Sequence, residues 1–194
     1  MTGLATQTSF IEEYFLSEDL CNQLIEFFES RPDLQHSGCI GGDNVDETRK
    51  FSTDMLLDDG EEFFYRYFAE LAPLVRDYCD KYKINVLVEP MAYLEPTNIQ
   101  RYLPNQGYFI DHYERASVNE NTTCRELVFM TYLNTIQDFS EHQGATAFPF
   151  QHYFARPVVG KTLIWPAGFT HRHYGIAHKT EKKYIVTGWR HLRR

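Results

Sequence analysis

His112, Tyr113 and Glu114 are consecutive in the second half of the chain. In an extended segment residues i and i+2 point to the same face, so the His112 imidazole and the Glu114 carboxylate can aim at one point. A neutral imidazole and a carboxylate suit divalent iron. Two histidines and one carboxylate on one face of that metal leave positions open for substrate and oxygen. His171 and His173 each offer the second imidazole, and both would share one strand face after a turn at Trp165-Pro166-Ala167-Gly168. Taken alone, His-x-Glu also describes a surface glutamate beside a half-buried histidine. A zinc hydrolase site using His112, Glu114, His171 and His173 is a second reading of the same residues. Lys183 stands ten residues beyond His173 and opens the segment Lys183–Trp189. Strand parity puts Lys183, Ile185, Thr187 and Trp189 on one face. An ammonium on an inward face needs an anion, because leaving it unpaired is costly, and a dicarboxylate cosubstrate would supply one. A lysine at a strand edge with its head in water is the commoner case.

The elements that must carry these residues are legible in outline. Ser17 can cap a helix running to about Ser30, with Leu20, Leu24, Phe27 and Phe28 at helical spacing and Pro32 beyond the stop. A second helical pattern spans roughly 60–82, and Pro73 should kink it or divide it into two pieces. Residues 36–54 are polar, contain Gly38, Gly41 and Gly42, and read as a long mobile loop with a short strand near Phe51. From residue 84 onward short β-rich runs alternate with turn residues. The candidates are 84–94, 98–103, 107–113, 126–134, 145–150, 152–156, 161–165, 170–174 and 183–190. Helices first and strands after imply helices packed against one sheet. The expected organisation is one domain over 1–194, mostly β with buttressing helices. Residues 1–83 would give mainly helical support and a loop over the site, and 84–194 the β core.

Composition narrows the field. The chain has 194 residues, 43% of them hydrophobic and 15% aromatic, a load that a disordered chain does not carry. Its net charge of -8 argues against a nucleic-acid partner held by a broad basic surface. No apolar run reaches the length of a membrane span, and the start MTGLATQTSF lacks the pattern of a signal peptide. Four cysteines, at 21, 39, 79 and 124, form no CxxC pair and fit reduced thiols in a cytoplasmic protein.

The set and order of these residues resemble the Fe(II)/2-oxoglutarate-dependent dioxygenases, and among them the prolyl-hydroxylase-like branch. The resemblance runs from about Asn98 to Trp189. Gln100-Arg101-Tyr102, then Pro104 and Gly107, look like the family's approach to its first ligand at His112. Tyr132-Leu133-Asn134 is similar to its YLN signature, and Gly144-Ala145-Thr146-Ala147-Phe148-Pro149 to its GGxTxFP segment. Gly160-Lys161-Thr162-Leu163-Ile164-Trp165-Pro166 resembles the strand before the distal histidine. Two departures stand out. Glu114 replaces the family's usual aspartate, and Gln143-Gly144-Ala145 replaces its paired glycines.

What the resemblance implies can be stated residue by residue. His112, Glu114 and His173 would hold Fe(II), with His171 nearby as a supporting group or a substrate contact. Lys183 would bind the distal carboxylate of 2-oxoglutarate. Tyr102 and Tyr132 would hydrogen-bond that cosubstrate, Thr187 would assist, and Trp189 would wall the pocket. The fold would be a double-stranded β-helix, or jelly roll, with the N-terminal helices on one sheet. The reaction would consume O2, hydroxylate an unactivated C–H bond and release succinate and CO2, with ascorbate as an accessory reductant. A prolyl residue in a peptide or protein is the implied substrate, and no nucleic acid or membrane partner is implied. Arg49, Lys50 and Arg115 would be either contacts for an acidic substrate or solvated charges. A free amino acid or other small molecule as substrate, and a non-catalytic β-sandwich module with a degenerate metal site, are the alternatives.

Overall fold

Residues 8–41, 44–58, 60–84, 95–116 and 120–191 are described by a computed structural model. Beyond residue 84, the candidate strand 84–94 lies outside the described residues, as do Gly42 and residues 1–7 of the polar start. Strand β1 (Glu12–Phe15) leads into helix α1 (Glu18–Ser30). Strands β2 (His36–Ser37), β3 (Lys50–Phe51) and β4 (Thr53–Leu57) precede helix α2 (Glu62–Lys81). Then come β5 (Thr97–Tyr102), β6 (Gly107–Tyr108), β7 (Arg125–Tyr132), β8 (Thr146–Phe148) and β9 (Tyr153–Ala155). The last three are β10 (Lys161–Pro166), β11 (Tyr174–Gly175) and β12 (Lys183–His191). A seven-stranded antiparallel sheet has the order β1-β10-β7-β12-β5-β4-β2. Strands β11-β8-β9 form a smaller sheet, and β3 pairs with β6.

Helix α1 begins where Ser17 accepts a hydrogen bond from the Leu20 N–H, and Glu18 and Asp19 in its first turn suit the positive end of the helix dipole. Its buried residues Leu20, Leu24 and Phe28 recur every four positions. Helix α2 runs through Pro73 as one piece, so of the two expectations the division does not occur. Pro73 removes one backbone donor, but Leu71 before it and Val75 and Tyr78 after it are buried in one core. That burial anchors the helix on both sides of Pro73, each large apolar side chain contributing about 1.5–3 kcal/mol.

The alternation of β7 separates two cores. Leu127 and Phe129 pack with Leu24, Phe28, Tyr67 and Leu71 of the helices. Val128, Met130 and Tyr132 face the other way and pack with Phe148, Leu163 and Trp165. Strand β12 repeats the division, with Tyr184 and Val186 on the helical side and Ile185 on the other. On the helical side Thr131 sits between the Tyr67 and Thr162 hydroxyls, 2.8 Å from each, so the polar group is satisfied inside the core. Gly160, at φ +78°, opens β10 where an added Cβ would stand 2.3 Å from the Leu16 carbonyl oxygen. Only glycine lets that turn approach so closely.

Three expectations change. The segment 36–54 is a loop only in its middle: the described residues of 38–49 carry no strand or helix, but β2 pairs with the start of β4 at the sheet edge, and β3 pairs with β6. The expected strand near Phe51 is present as β3. The rest was hidden because Lys50, Ser52 and Asp54 are buried polar residues that satisfy one another, Lys50 and Ser52 both donating to the Asp54 carboxylate. Strand β1 lies in a stretch for which the sequence pattern predicts no element, and it pairs with β10. The candidate strands 107–113 and 170–174 shorten to two residues each, β6 and β11.

Candidate metal and cosubstrate site

His112 and His173 meet because their backbones pair directly. The His112 N–H donates to the His173 carbonyl at 3.0 Å, and the His173 N–H returns the bond at 2.8 Å. Each ring is then oriented by a carbonyl. Nδ1 of His112 lies 2.9 Å from the Ile110 oxygen, and Nδ1 of His173 lies 3.0 Å from the His171 oxygen. A carbonyl only accepts, so both Nδ1 atoms carry the proton and both Nε2 lone pairs are free for a metal. Those Nε2 atoms stand 3.5 and 3.3 Å from Oε1 of Glu114. The three ligand atoms form the one such His/Cys/Asp/Glu group found among the described residues. Ligands bound at about 2.0–2.2 Å and at right angles stand about 3 Å apart, so the donor set fits a divalent ion with open positions.

The surroundings set the protonation states that a metal needs. Burial alone would raise the Glu114 carboxyl, but the flanking His112 and His173 outweigh it and hold the group well below the ordinary carboxylate range. Burial, with His112 beside it, pushes His173 below the ordinary imidazole range. Tyr108 stacks on the His112 ring at 3.9 Å, while Phe148 and Trp165 pack around His173.

His171 does not join the group. It lies in a short helical turn, not on a shared strand face. Its Nε2 is 2.9 Å from the Ser9 oxygen and its Nδ1 2.9 Å from the Thr170 hydroxyl. Its contribution to the site is its backbone carbonyl, which orients His173. The four-residue zinc site is therefore not assembled.

The ligands face a cavity of about 1270 Å³, which Lys183, Tyr102, Thr187 and Trp189 also line. Lys183 pairs across from Tyr102 in the β5–β12 ladder and is 4% exposed. Its ammonium donates to the Gly144 carbonyl at 2.8 Å, and among the described residues it has no salt bridge to a carboxylate. Desolvation lowers its pKa from 10.5 to about 8. A cation so buried, with no carboxylate beside it among the described residues, is costly to hold. Gly144, at φ +78°, presents its carbonyl to Lys183. Asn134 accepts from the Tyr184 N–H and donates to the Lys182 carbonyl, bracketing Lys183 on both sides.

Tyr132 departs from its expected role. It does not line the cavity; its hydroxyl donates to Thr146 at 2.8 Å, and it is Thr146 that reaches the cavity wall. The Tyr102 hydroxyl donates to Gln100 at 2.6 Å, beside the ammonium, which sits 5.1 Å over the Tyr102 ring. Burial pushes the phenols of Tyr102, Tyr108 and Tyr132 above their ordinary range, so all three are neutral. Thr187 makes a long bond of 3.4 Å to the Phe129 carbonyl. Trp189 does more than wall the cavity, because its indole N–H donates to Oε2 of Glu114 at 2.9 Å. Lys50 is buried against Asp54 and is no solvated charge. Arg49 is exposed on the cavity rim, and Arg115 is turned to the Arg125 carbonyl. Sequence reasoning missed Gln100 as a cavity residue, Tyr108 and above all Arg125; nothing in the local pattern of Arg125-Glu126-Leu127 marks it.

No family model and no curated protein matches the sequence. Solved structures do match. A prolyl-4-hydroxylase from Pseudomonas putida is 18% identical, with a TM-score of 0.75 over 95% of this chain and 94% of that one. The viral collagen prolyl hydroxylase of Paramecium Bursaria Chlorella virus-1, in its 2OG complex, is 19% identical, with a TM-score of 0.68 over 95% and 97%. A prolyl hydroxylase from Trichoplax adhaerens, in complex with a peptide fragment of the hypoxia inducible factor oxygen degradation domain, is 14% identical, with a TM-score of 0.72 over 95% and 84%. The chain has the prolyl-hydroxylase fold. Within that fold, the resemblance read from Asn98 to Trp189 extends to nearly the whole chain. The architecture is mostly β, with antiparallel sheets and two long helices. The four cysteines are all unpaired, and none of the described helices is long and apolar enough to cross a membrane.

Proposed function

We propose that this protein is an Fe(II)- and 2-oxoglutarate-dependent dioxygenase that hydroxylates a prolyl residue in a peptide or protein, with succinate and CO2 as co-products. The observation that carries the reading is the convergence of His112, Glu114 and His173 in one cavity with the buried ammonium of Lys183. Iron with 2-oxoglutarate supplies the oxidising chemistry that no side chain offers. The chain supplies the rest. His112, Glu114 and His173 would hold the metal, with neutral imidazoles and an ionised carboxylate. Lys183 would pair with the distal carboxylate of the cosubstrate, with Tyr102 and Thr187 beside it. Met130, Trp165 and Ile185 give the inner cavity apolar walls that limit water.

The peptide assignment rests on the outer cavity. Ile40, Val45 and Leu56 line it together with Arg49, and Val45 and Leu56 are about half exposed. An apolar rim of this kind suits an extended chain better than a small polar metabolite. The match to a prolyl hydroxylase solved with a peptide supports the same choice. The jelly-roll description of the β core and the single-domain organisation over 1–194 belong to this reading. So does a cytoplasmic location, which four unpaired thiols suit.

The deciding experiment is an anaerobic titration of metal-free protein with Fe(II) and then 2-oxoglutarate, followed by peptide turnover with succinate detection. The expected result is a visible metal-to-ligand charge-transfer band and proline-dependent succinate release. Folded protein without the band would reject the dioxygenase assignment in favour of a binding module. Succinate release with free amino acids but not peptides would reject the peptide substrate.

The cosubstrate affinity should also depend on pH. Lys183 is a base whose folded-state pKa is depressed to about 8, so its ammonium is mostly present at pH 7 and is lost as pH rises. The dissociation constant for 2-oxoglutarate should be flat below about pH 7 and climb towards about tenfold per pH unit above about 8. Calorimetry across pH 6.5–9.5 checks this, and a Lys183→Met variant should show no such climb.

A further inference from the structure

The two oxygens of Glu114 have separate duties. Oε1 faces both imidazole Nε2 atoms. Oε2 accepts from the Trp189 indole at 2.9 Å and from Nη1 of Arg125 at 3.1 Å. The same Arg125 nitrogen reaches the Glu114 backbone carbonyl at 3.0 Å, so one guanidinium holds both ends of the residue. Arg125 is itself fixed. Its Nε and Nη2 donate to the two oxygens of Glu95 at 2.6 and 2.7 Å, and Glu95 also meets His191 at 2.8 Å. Its Cζ lies 3.6 Å from the centre of the Trp189 ring, so the two groups that grip Oε2 are stacked on each other. They come from adjoining strands, β7 and β12, whose pairing shifts register between Arg190 and His191, opposite the start of β7. Such an irregularity re-aims side chains at the end of a ladder.

We infer that Arg125 and Trp189 form a clamp that fixes Glu114 as a one-oxygen metal ligand and so fits a glutamate where the shorter aspartate is usual. The inference rests on the proposed metal site and goes beyond it, because it assigns positioning roles to two residues that act on Glu114. A glutamate side chain has one more rotatable bond than aspartate and a carboxylate about 1.5 Å further from the backbone. Left free, it would lose more rotamer entropy on binding metal and could chelate with both oxygens. Two donors on Oε2 remove both problems, since they occupy that oxygen and leave Oε1 aimed at the histidines. An aspartate here would not reach the metal and the clamp together.

The test uses Mn(II) binding to the full-length metal-free protein, measured by calorimetry and by the electron paramagnetic resonance signal of the free ion. Trp189→Phe removes only the indole donor and keeps a ring for Arg125; Arg125→Met removes the guanidinium. Each should weaken Mn(II) binding about 10- to 100-fold, the usual cost of losing a group that orients a metal ligand. In a Glu114→Asp background, already weakened, the same two changes should each alter the affinity by less than about threefold, because the clamp no longer has its partner. Co(II)-loaded wild type and Trp189→Phe should differ in their visible ligand-field bands, which a change in the fold away from the metal would not produce. Full Mn(II) affinity in folded Trp189→Phe and Arg125→Met would overturn the clamp. Equal losses in the Glu114 and Glu114→Asp backgrounds would also overturn it, since they report a general structural effect. Wild type that binds no Mn(II) would instead reject the metal site itself. If Arg125→Met does not fold, Trp189→Phe carries the test alone.

Discussion

Lys183→Ala is expected to raise the dissociation constant of 2-oxoglutarate about 30- to 4000-fold, the range for truncating one partner of a buried, hydrogen-bonded charge pair. Mn(II) affinity in the same variant should stay within about twofold, because the ammonium is bonded to the Gly144 carbonyl and not to a ligand of the metal group. Binding of the two ligands to one sample, measured in sequence, separates the effects. Equal loss of both would show that Lys183 supports the metal region and not the cosubstrate. Stability gives an internal control. An ammonium with one carbonyl and no carboxylate among the described residues is held at a cost. Lys183→Met should therefore melt no lower than wild type when no cosubstrate is present. It should gain none of the stabilisation that saturating 2-oxoglutarate gives wild type, a gain of about 2.7 kcal/mol at one hundred times the dissociation constant.

The second large effect separates two histidines that look equivalent in the sequence. His173→Ala should weaken Mn(II) binding by more than about 100-fold, beyond the usual cost of losing a group that only supports a ligand. His171→Ala should leave it within about threefold, since the carbonyl that orients His173 belongs to the backbone and survives the substitution. What His171→Ala should lose is stability, about 1–3 kcal/mol, as its buried ring bonds to the Ser9 carbonyl and to the Thr170 hydroxyl. Parallel metal titrations and thermal melts of the two variants check both halves. Metal loss in His171→Ala with retention in His173→Ala would reverse the assignment.

Much of this was legible because order along the chain carries information that local pattern does not. His112, Glu114, His173 and Lys183 are each weak alone and become a set through the order in which they and the motifs around them resemble the dioxygenase family. Strand parity at 112–114 and 171–173 suggested shared faces, whereas a direct backbone bridge between His112 and His173 does the positioning. Helix α1 was readable to its cap because its burial repeats every fourth residue. The start of β4 was not, because Asp54 and its partners Lys50 and Ser52 are polar yet buried, and composition cannot see that they satisfy one another. Tyr132 was misjudged for a related reason. Its motif is real, but its hydroxyl serves Thr146 behind the cavity wall. Arg125 was invisible, since a guanidinium becomes a positioning group only through the company it keeps in space.

The alternation along β7 has a consequence for inherited variation. Leu127 and Phe129 face the helical core, while Met130, on the opposite face, reaches the cavity. A lesion at the first pair lowers the fraction of chains that are folded, and a shift of about 1–2 kcal/mol is enough to change cellular abundance several-fold. A lesion at Met130 that keeps its volume leaves abundance alone and changes what the remaining molecules do. Neighbouring codons in one strand therefore produce different kinds of defect, one a shortage of protein and the other a full complement of altered protein.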